Sequence, residues 1–276
     1  MLNRLKRVLA ATFPTAAGLY REVRARRHCS PAALHPTPHG FRLAGSERMA
    51  SAAFEPAETR FIRERVRDAR IFTDVGANIG FFSCLARQAG AQVLAVEPSR
   101  ENLECLLFNL RSNGWDDVEV HPVGLSDRIG IASLHGAGTG ASLVPNWGGA
   151  DHGWDRNIAL STLDAILAHR FVGEKLLIKV DVEGSELGVL RGGIQTLSRR
   201  PSPTWLVEVC LTENHPAGVN PDFGSVFELF WSHGYESRAL LAEGGERPVT
   251  PRDIARWTAE RRREFGYVSY VFERAP

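Results

Sequence analysis

The stretch from Arg70 to Gly90 constrains the fold more than any other part of the chain. Arg70-Ile71-Phe72-Thr73-Asp74 is a short β-type run, and it ends at a glycine-bearing turn, Val75-Gly76-Ala77-Asn78-Ile79-Gly80. Ile79 to Gln88 then carries a helical pattern that Gly90 stops. The alternation repeats. Gln92 to Val96 is an apolar strand closed by Glu97-Pro98, Arg100 to Asn113 is a helix stopped by Gly114, and Val118 to Val123 is a third strand. Strands alternating with helices at this spacing make βαβ units and a parallel sheet. Ligands of such sheets gather beyond the carboxyl ends of the strands, at the topological switch point. The turn after Asp74 is therefore the place to look for chemistry.

The rest of the chain extends the pattern. Lys175 to Val180 reads as a fourth strand and Trp205 to Cys210 as a fifth, with a helix over Ser185 to Leu197 between them. Phe223 to His233 is a further helix. Tyr235 to Leu241 and Tyr267 to Phe272 read as terminal strands, an antiparallel hairpin at the sheet edge. Ser161 to Ala168 is a short helix N-capped by Ser161 or Thr162. Upstream, Phe41 to Phe54 suggests a hairpin around Gly45-Ser46, and Glu58 to Arg70 a helix. Residues 134–155 are rich in Gly and Trp without a period, as a specificity loop would be. Pro31, Pro36 and Pro38 mark Ser30 to Gly40 as a linker. The division expected is an N-terminal helical extension and linker over 1–40, and a single enzymatic domain over 41–276.

Charge and cysteine usage exclude several functions. With 33 basic and 32 acidic residues the net charge is +1, which gives no electrostatic reason to expect nucleic acid or anionic lipid as the main partner. Arg261-Arg262-Arg263 reads as a solvated helix face. Leu2, Leu5, Leu9 and Phe13 sit at helical spacing within a basic N-terminus, an amphipathic helix. A signal-peptide or membrane-surface role is the lesser reading, because Pro14 interrupts the apolar run. No segment approaches the roughly 20 apolar residues that cross a bilayer. Cys29, Cys84, Cys105 and Cys210 form no C-x-x-C pair, so zinc and redox motifs are not indicated. Cys84 and Cys105 fall in apolar helical patterns, as free buried cysteines do, and a reducing cytoplasm is the expected location. Oligomeric state is not legible.

The turn itself discriminates between cofactors. A pyrophosphate-binding loop needs G-x-G-x-x-G, so that bare backbone N–H groups meet the phosphates. Here the pattern is G-x-x-x-G, and Asp74 precedes it. A carboxylate there repels pyrophosphate and suits the cationic amino-acid end of S-adenosylmethionine, directly or through water. Glu97 closes the second strand 23 residues beyond Asp74, the distance expected of a carboxylate that accepts from two ribose hydroxyls. A nucleotide-dependent oxidoreductase on a related sheet is the alternative, and a catalytically inactive cofactor-binding protein is a third reading.

These residues resemble the FkbM-type methyltransferase family. The resemblance rests on Phe54-Glu55-Pro56-Ala57-Glu58-Thr59, Thr73 to Gly80, Val96-Glu97-Pro98, Leu125-Ser126-Asp127, Thr162-Leu163-Asp164, and Ile178-Lys179-Val180-Asp181-Val182-Glu183-Gly184-Ser185-Glu186. It covers the chain from about Phe41 onward. The first glycine motif is shared by many methyltransferases, whereas K-x-D-x-E-G-x-E is much more specific to this family. The resemblance implies a Rossmann-like α/β fold: a seven-stranded methyltransferase sheet with helices on both faces and a reversed edge strand. It implies methyl transfer from S-adenosylmethionine to oxygen, often a hydroxyl of a sugar, glycolipid or secondary metabolite. Asp74, Gly76, Ala77, Asn78 and Gly80 would line the methionine end of the cofactor. Glu97 and Pro98 would hold the ribose, and Gly124, Leu125 and Ser126 would sit near the adenine.

The chemistry falls to the fourth and fifth strands. Methyl transfer needs an in-line approach to an activated methyl, so positioning dominates. A hydroxyl nucleophile also benefits from a base. Asp181, at the end of the fourth strand, is the first candidate, as base or as orienting acceptor, and Glu183 follows it. Lys179 lies within the same strand, where it neutralises one of these acids, and Glu186 has an ordinary surface pairing as its plain explanation. Glu208 and His215, after the fifth strand, are the further candidates. Asp181, Glu208 and His215 together would suit a divalent cation that acidifies a hydroxyl, a reading not favoured here. Alternatively His215 is itself the base. Trp147, His152 and Trp154 are available to touch a saccharide acceptor.

Overall fold

The computed structural model describes residues 29–149, 155–266 and 268–275. The amphipathic pattern of residues 1–28, and His152 and Trp154, lie outside the described residues. Along the chain a one-turn 3-10 helix, Pro31–Ala33, leads into strands β1 (His35–Pro36) and β2 (Arg42–Leu43), which pair with each other, and then into helices α1 (Glu47–Ala50) and α2 (Pro56–Arg65). The core begins with β3 (Ile71–Val75), α3 (Phe81–Gln88), β4 (Gln92–Val96), α4 (Arg100–Ser112) and β5 (Glu119–His121). Next come β6 (Gly124–Leu125), β7 (Gly130–Leu134), β8 (Arg156–Ser161), α5 (Leu163–Leu167) and β9 (Leu176–Val180). The chain continues through α6 (Glu186–Arg191), α7 (Ile194–Leu197), β10 (Thr204–Glu208), α8 (Phe223–Ser232) and β11 (Tyr235–Leu240), and ends with β12 (Glu246–Val249), α9 (Pro251–Glu260) and β13 (Ser269–Arg274).

One sheet organises the molecule, in the order β12-β11-β13-β10-β9-β3-β4-β5. The five strands β5, β4, β3, β9 and β10 run parallel. The last strand, β13, is antiparallel to both neighbours, β10 and β11. The reversed strand is therefore real but does not form the edge. It inserts between β10 and β11, and an additional strand, β12, closes that side and makes the sheet eight-stranded. β11 and β13 do pair antiparallel, as expected of the two terminal strands, but not as an edge hairpin, because β12 and α9 separate them in sequence and β12 takes the edge.

The sheet is buried on both faces, which is why β3 and β9 read as near-continuous apolar runs. Phe72, Ala95, Leu177 and Leu206 pack on one side with α2 and α3. Val75, Ile178, Trp205 and Phe272 pack on the other with α6 and α8. Period-2 alternation then fixes where the polar residues of these strands point. Asp74, Lys179 and Glu208 share the face of Phe72, Leu177 and Leu206, and Asp74 lies directly opposite Lys179 in the register.

Several sequence expectations are corrected. Phe41 to Phe54 is not a hairpin. β2 pairs backward with β1, and Ser46 caps α1 by accepting from Met49 N. Ser185 to Leu197 is two helices, because Gly192 and Gly193 lie where the chain breaks. Of the basic run, only Arg261 sits at a helix end, whereas Arg263 is buried and paired with Glu213. Cys105 is not free: it forms a disulfide with Cys29, Cα to Cα 5.2 Å. That bond removes the ground on which a reducing compartment was expected. Cys84 and Cys210 are free and buried. Among the described residues, no helix is long and apolar enough to cross a membrane.

Candidate active site

At the end of β3 the chain turns sharply, and the N–H groups of Gly76 and Ala77 both donate to Val96 O, at 2.9 and 3.0 Å. Gly76 has φ +85°, and a Cβ there would lie 1.8 Å from Asp181 O. Only glycine allows β9 to approach the turn this closely. Asn78 follows in a left-handed conformation, φ +52°. Its N–H donates to Glu97 Oε2 at 2.8 Å, while its own Oδ1 is buried without a partner.

Glu97 is fixed from two further directions. Ser99 N donates to its Oε1 at 2.8 Å and Asn102 Nδ2 at 3.3 Å. Burial pushes its pKa up to about 7 against the pull of these donors. Asn102 also reaches Gly138 O, tying the loop after β7 to the same wall. A cavity of about 370 Å³ opens here, walled by Gly76, Ala77, Asn78, Glu97 and Pro98, with Gly124 and Leu125 beyond.

The other end of the same cavity is charged. Lys179 is buried at the end of β9, its Nζ 2.7 Å from Asp181 Oδ2 and 4.8 Å from the centre of the Phe82 ring. Burial alone would lower its pKa. The carboxylates of Asp181, Glu55, Asp74 and Glu208 outweigh burial and hold the ammonium well above its ordinary range. Asp181, Glu183 and Glu208 all line this end. The charge of Asp181, followed by burial, pushes Glu208 well above the usual carboxylate range. Glu183 stands at φ +53°, with Trp147 Nε1 donating to its Oε2 at 2.5 Å. Burial, with Asp181 adding, pushes it up to about 7.

Four candidates take other places. Asp74 is fully enclosed and accepts from Ser83 Oγ at 2.6 Å, holding α3 to β3 behind the cavity wall. Gly80 packs on α4, where a Cβ would meet Leu106 Cδ1 at 2.4 Å. Ser126 faces away, its carbonyl oxygen against Gly192. His215 does not line the cavity. Its ring meets the edge of Trp147 at 5.8 Å between centroids, and its Nδ1 accepts from Ala217 N. Asp181 and Glu208 thus converge without His215, and among the described residues no group of three His, Cys, Asp or Glu side chains could hold a metal ion. Trp147 is buried against Gly184, so it offers no free ring to a sugar. Glu186 is also buried and accepts from Gly184 N at 2.9 Å, not from a surface cation.

Residues that sequence reasoning passed over complete the cavity: Glu55 and Phe54 from the turn before α2, Arg48 and Ser46 from α1 and its cap, and Asn102. Glu55 had a signal, since it precedes Pro56 within the quoted F-E-P motif. Phe54 stands in the same motif, whereas Arg48, Ser46 and Asn102 had no signal of their own.

A parallel sheet with a reversed strand inserted beside β10, a carboxylate held by three N–H donors after β4 and a glycine turn after β3 is the architecture of a Rossmann-like methyltransferase. The model of the methyltransferase FkbM domain matches residues 74–237, and the chain belongs to that family. The protein is a methyltransferase with S-adenosylmethionine as its cofactor, which overturns the oxidoreductase alternative. The unpartnered Asn78 Oδ1 and the bare backbone of Gly76 fit such a ligand. Among solved structures, a putative O-methyltransferase from Klebsiella pneumoniae is 13% identical over 78% of each chain, TM-score 0.46. An O-methyltransferase from Bacillus cereus in complex with SAH is 12% identical over 79% of this chain and 80% of that one, TM-score 0.44. Cofactor-bound Rv0187 from MTB is 17% identical over 80% of each, TM-score 0.44. The curated proteins contain no match to the sequence.

Proposed function

We propose that the protein methylates a hydroxyl oxygen, on a sugar, glycolipid or secondary metabolite. The observation that carries this reading is the Lys179–Asp181 pair at one end of the cavity whose other end holds Glu97. Glu97, fixed by three donors, is suited to accept from ribose hydroxyls, with Pro98 beside it, and Gly124 and Leu125 to flank the adenine. Gly76, Ala77 and Asn78 offer backbone and the free Asn78 Oδ1 to the methionine end. When bound, S-adenosylmethionine supplies a methyl group already activated by the sulfonium. Asp181, anchored by Lys179, orients the acceptor hydroxyl toward it. Glu208 and Glu183 complete a carboxylate wall that favours a neutral, hydroxyl-bearing acceptor over an anionic one. Proton acceptance falls within this wall, where a carboxyl raised to about 7 can release and take a proton near neutrality.

The test is a screen with radiolabelled S-adenosylmethionine against sugar and glycolipid fractions, with the labelled atom located by NMR. Label on oxygen, lost in Asp181→Ala, is the expected result. Label on nitrogen or carbon would overturn the reading. Full activity in Asp181→Ala would remove Asp181 from the mechanism and leave the cofactor assignment standing.

A further inference from the structure

Glu55 is a carboxylate of this cavity whose buried oxygen the protein leaves without a donor. Asp181 has Lys179, Glu183 has the Trp147 indole, and Glu97 has three N–H donors. Glu55 Oε2 is buried and has no hydrogen-bond partner. The chain holds it there at a conformational cost. Glu55 is the residue before α2, at φ +37° and ψ +62°, a left-handed conformation that a non-glycine residue adopts reluctantly. Pro56 follows at the first helical position and fixes the entry into α2. A buried, unpartnered carboxylate oxygen is costly unless a ligand completes it.

The charges around Glu55 define that ligand's sign. Lys179 and Asp181 face it from β9, Arg48 from α1, Glu58 from its own helix, and Glu208 from β10. Lys179 already serves Asp181, and Arg48 is an exposed side chain at the rim. Glu55, Asp181 and Glu208 therefore share one buried cation, which leaves this end of the cavity short of positive charge. The cofactor brings one. S-adenosylmethionine carries a permanent sulfonium charge, and the product S-adenosylhomocysteine has lost it with the methyl group.

We propose that Glu55 is a specificity-determining residue that reads the sulfonium charge, so that the site prefers the methylated cofactor to the spent product and exchanges one for the other after turnover. Without ligand, burial first, with Asp181 and Glu58 adding, pushes Glu55 up to about 7. Binding a cation favours its ionised form, so S-adenosylmethionine drives a proton from Glu55 into solvent near pH 7 and S-adenosylhomocysteine does not. Groups common to both ligands, Glu97 above all, cancel in the comparison.

The experiment is isothermal titration of S-adenosylmethionine and S-adenosylhomocysteine into the full-length protein and into Glu55→Gln, at pH 6 and pH 8. Wild-type preference for S-adenosylmethionine is expected to rise about tenfold between the two pH values. Glu55→Gln is expected to lose about tenfold in affinity for S-adenosylmethionine at pH 8 and less than about twofold for S-adenosylhomocysteine. Retained S-adenosylhomocysteine binding shows that the variant is folded. Equal losses for both ligands, at intact circular dichroism, would overturn the proposal and place Glu55 on the shared ammonium. Unchanged affinities for both would overturn it too and leave Glu55 to the acceptor. A variant that fails to fold is replaced by the wild-type comparison in buffers of different ionisation enthalpy. Proton release with S-adenosylmethionine alone supports the proposal, and equal release with both ligands overturns it.

Discussion

Trp147 decides how Glu183 behaves. The indole packs flat against the backbone of Gly184, where a Cβ would stand 2.4 Å from its ring, and its N–H holds the Glu183 carboxylate. Ser142 Oγ donates to Glu183 O at 2.5 Å, so the main chain and the side chain are both clamped. Trp147→Phe keeps most of the packing and removes the donor. A hydrogen bond to an ionised carboxylate contributes about 1.5–3 kcal/mol, more than one to a neutral carboxyl. Without it the folded-state pKa of Glu183 climbs beyond about 7. The variant is therefore expected to lose more stability at pH 8.5, where Glu183 is ionised, than at pH 5.5, where it is protonated. Thermal unfolding at the two pH values measures the difference, and a loss independent of pH would show that the bond does not favour the ionised form. Nothing at positions 147 and 183 in the sequence announces this contact. They lie 36 residues apart, on a loop without periodicity and a strand end, so Trp147 read as a surface aromatic. Glu97 was legible because its partners, Asn78, Ser99 and Asn102, lie within one βαβ unit of it.

Among the elements, the strands of the large sheet announced themselves, β12 excepted, while those of the small sheet did not. β4 coincides with the apolar run Gln92 to Val96. β7 and β8 were invisible. They belong to a separate three-stranded sheet with β6, in the order β6-β8-β7, and β7 leaves Ile131 on the surface. α9 was missed as well, although Thr250 and Asp253 form a capping box at its start. The small sheet matters because β6 supplies Gly124 and Leu125 to the cavity. The break between α6 and α7 is what seats it. Gly192 passes so close to the next turn that a Cβ would lie 2.0 Å from Ser126 O. Asp164 then caps α7, its carboxylate accepting from Gln195 N, Thr196 N and Thr196 Oγ1, a structural use for the T-L-D motif. Gly192→Ala is expected to push the 124–126 turn toward the cavity, costing about 1–3 kcal/mol of overpacking and weakening cofactor binding together. Calorimetric binding beside a denaturant melt checks this. Unchanged affinity in a destabilised variant would show that the turn relaxes away from the cavity instead.

At the scale of the whole molecule, one covalent bond and one set of buried acids control stability. The Cys29–Cys105 bridge ties the segment preceding β1 to α4, across 76 residues of chain. A cross-link of that span typically contributes about 2–4 kcal/mol by constraining the unfolded chain. Cys29→Ser is expected to lower the free energy of unfolding by that amount, read from the shift of the denaturant midpoint. In the wild type, two of the four cysteines, Cys84 and Cys210, should react with a thiol reagent under denaturing, non-reducing conditions. Four reactive thiols would refute the bridge. The buried acids set the response to pH. Glu55, Glu97, Glu183 and Glu186 are each pushed up to about 7, chiefly by burial, from an ordinary value of 4.5. In the folded state they hold protons that the unfolded chain has already released, so stability falls as pH rises from about 4.5 to about 7. One such group, Glu97, accounts for roughly 3 kcal/mol between those limits. His39, lowered by burial and by Arg63, works in the opposite direction, but it is a single, partly exposed group. On the acid side Glu119, held below its ordinary range by hydrogen bonds from Arg170, loses its contribution as pH drops through its folded value. The ligand-free protein should therefore be most stable near pH 5, and urea melts from pH 4 to pH 8 measure it. S-adenosylmethionine, which brings positive charge to Glu55, should flatten the neutral side of that profile. A ligand-free stability that rises from pH 5 to pH 7.5 would mean that water reaches these carboxylates and that the cavity is open to solvent far more than its walls indicate.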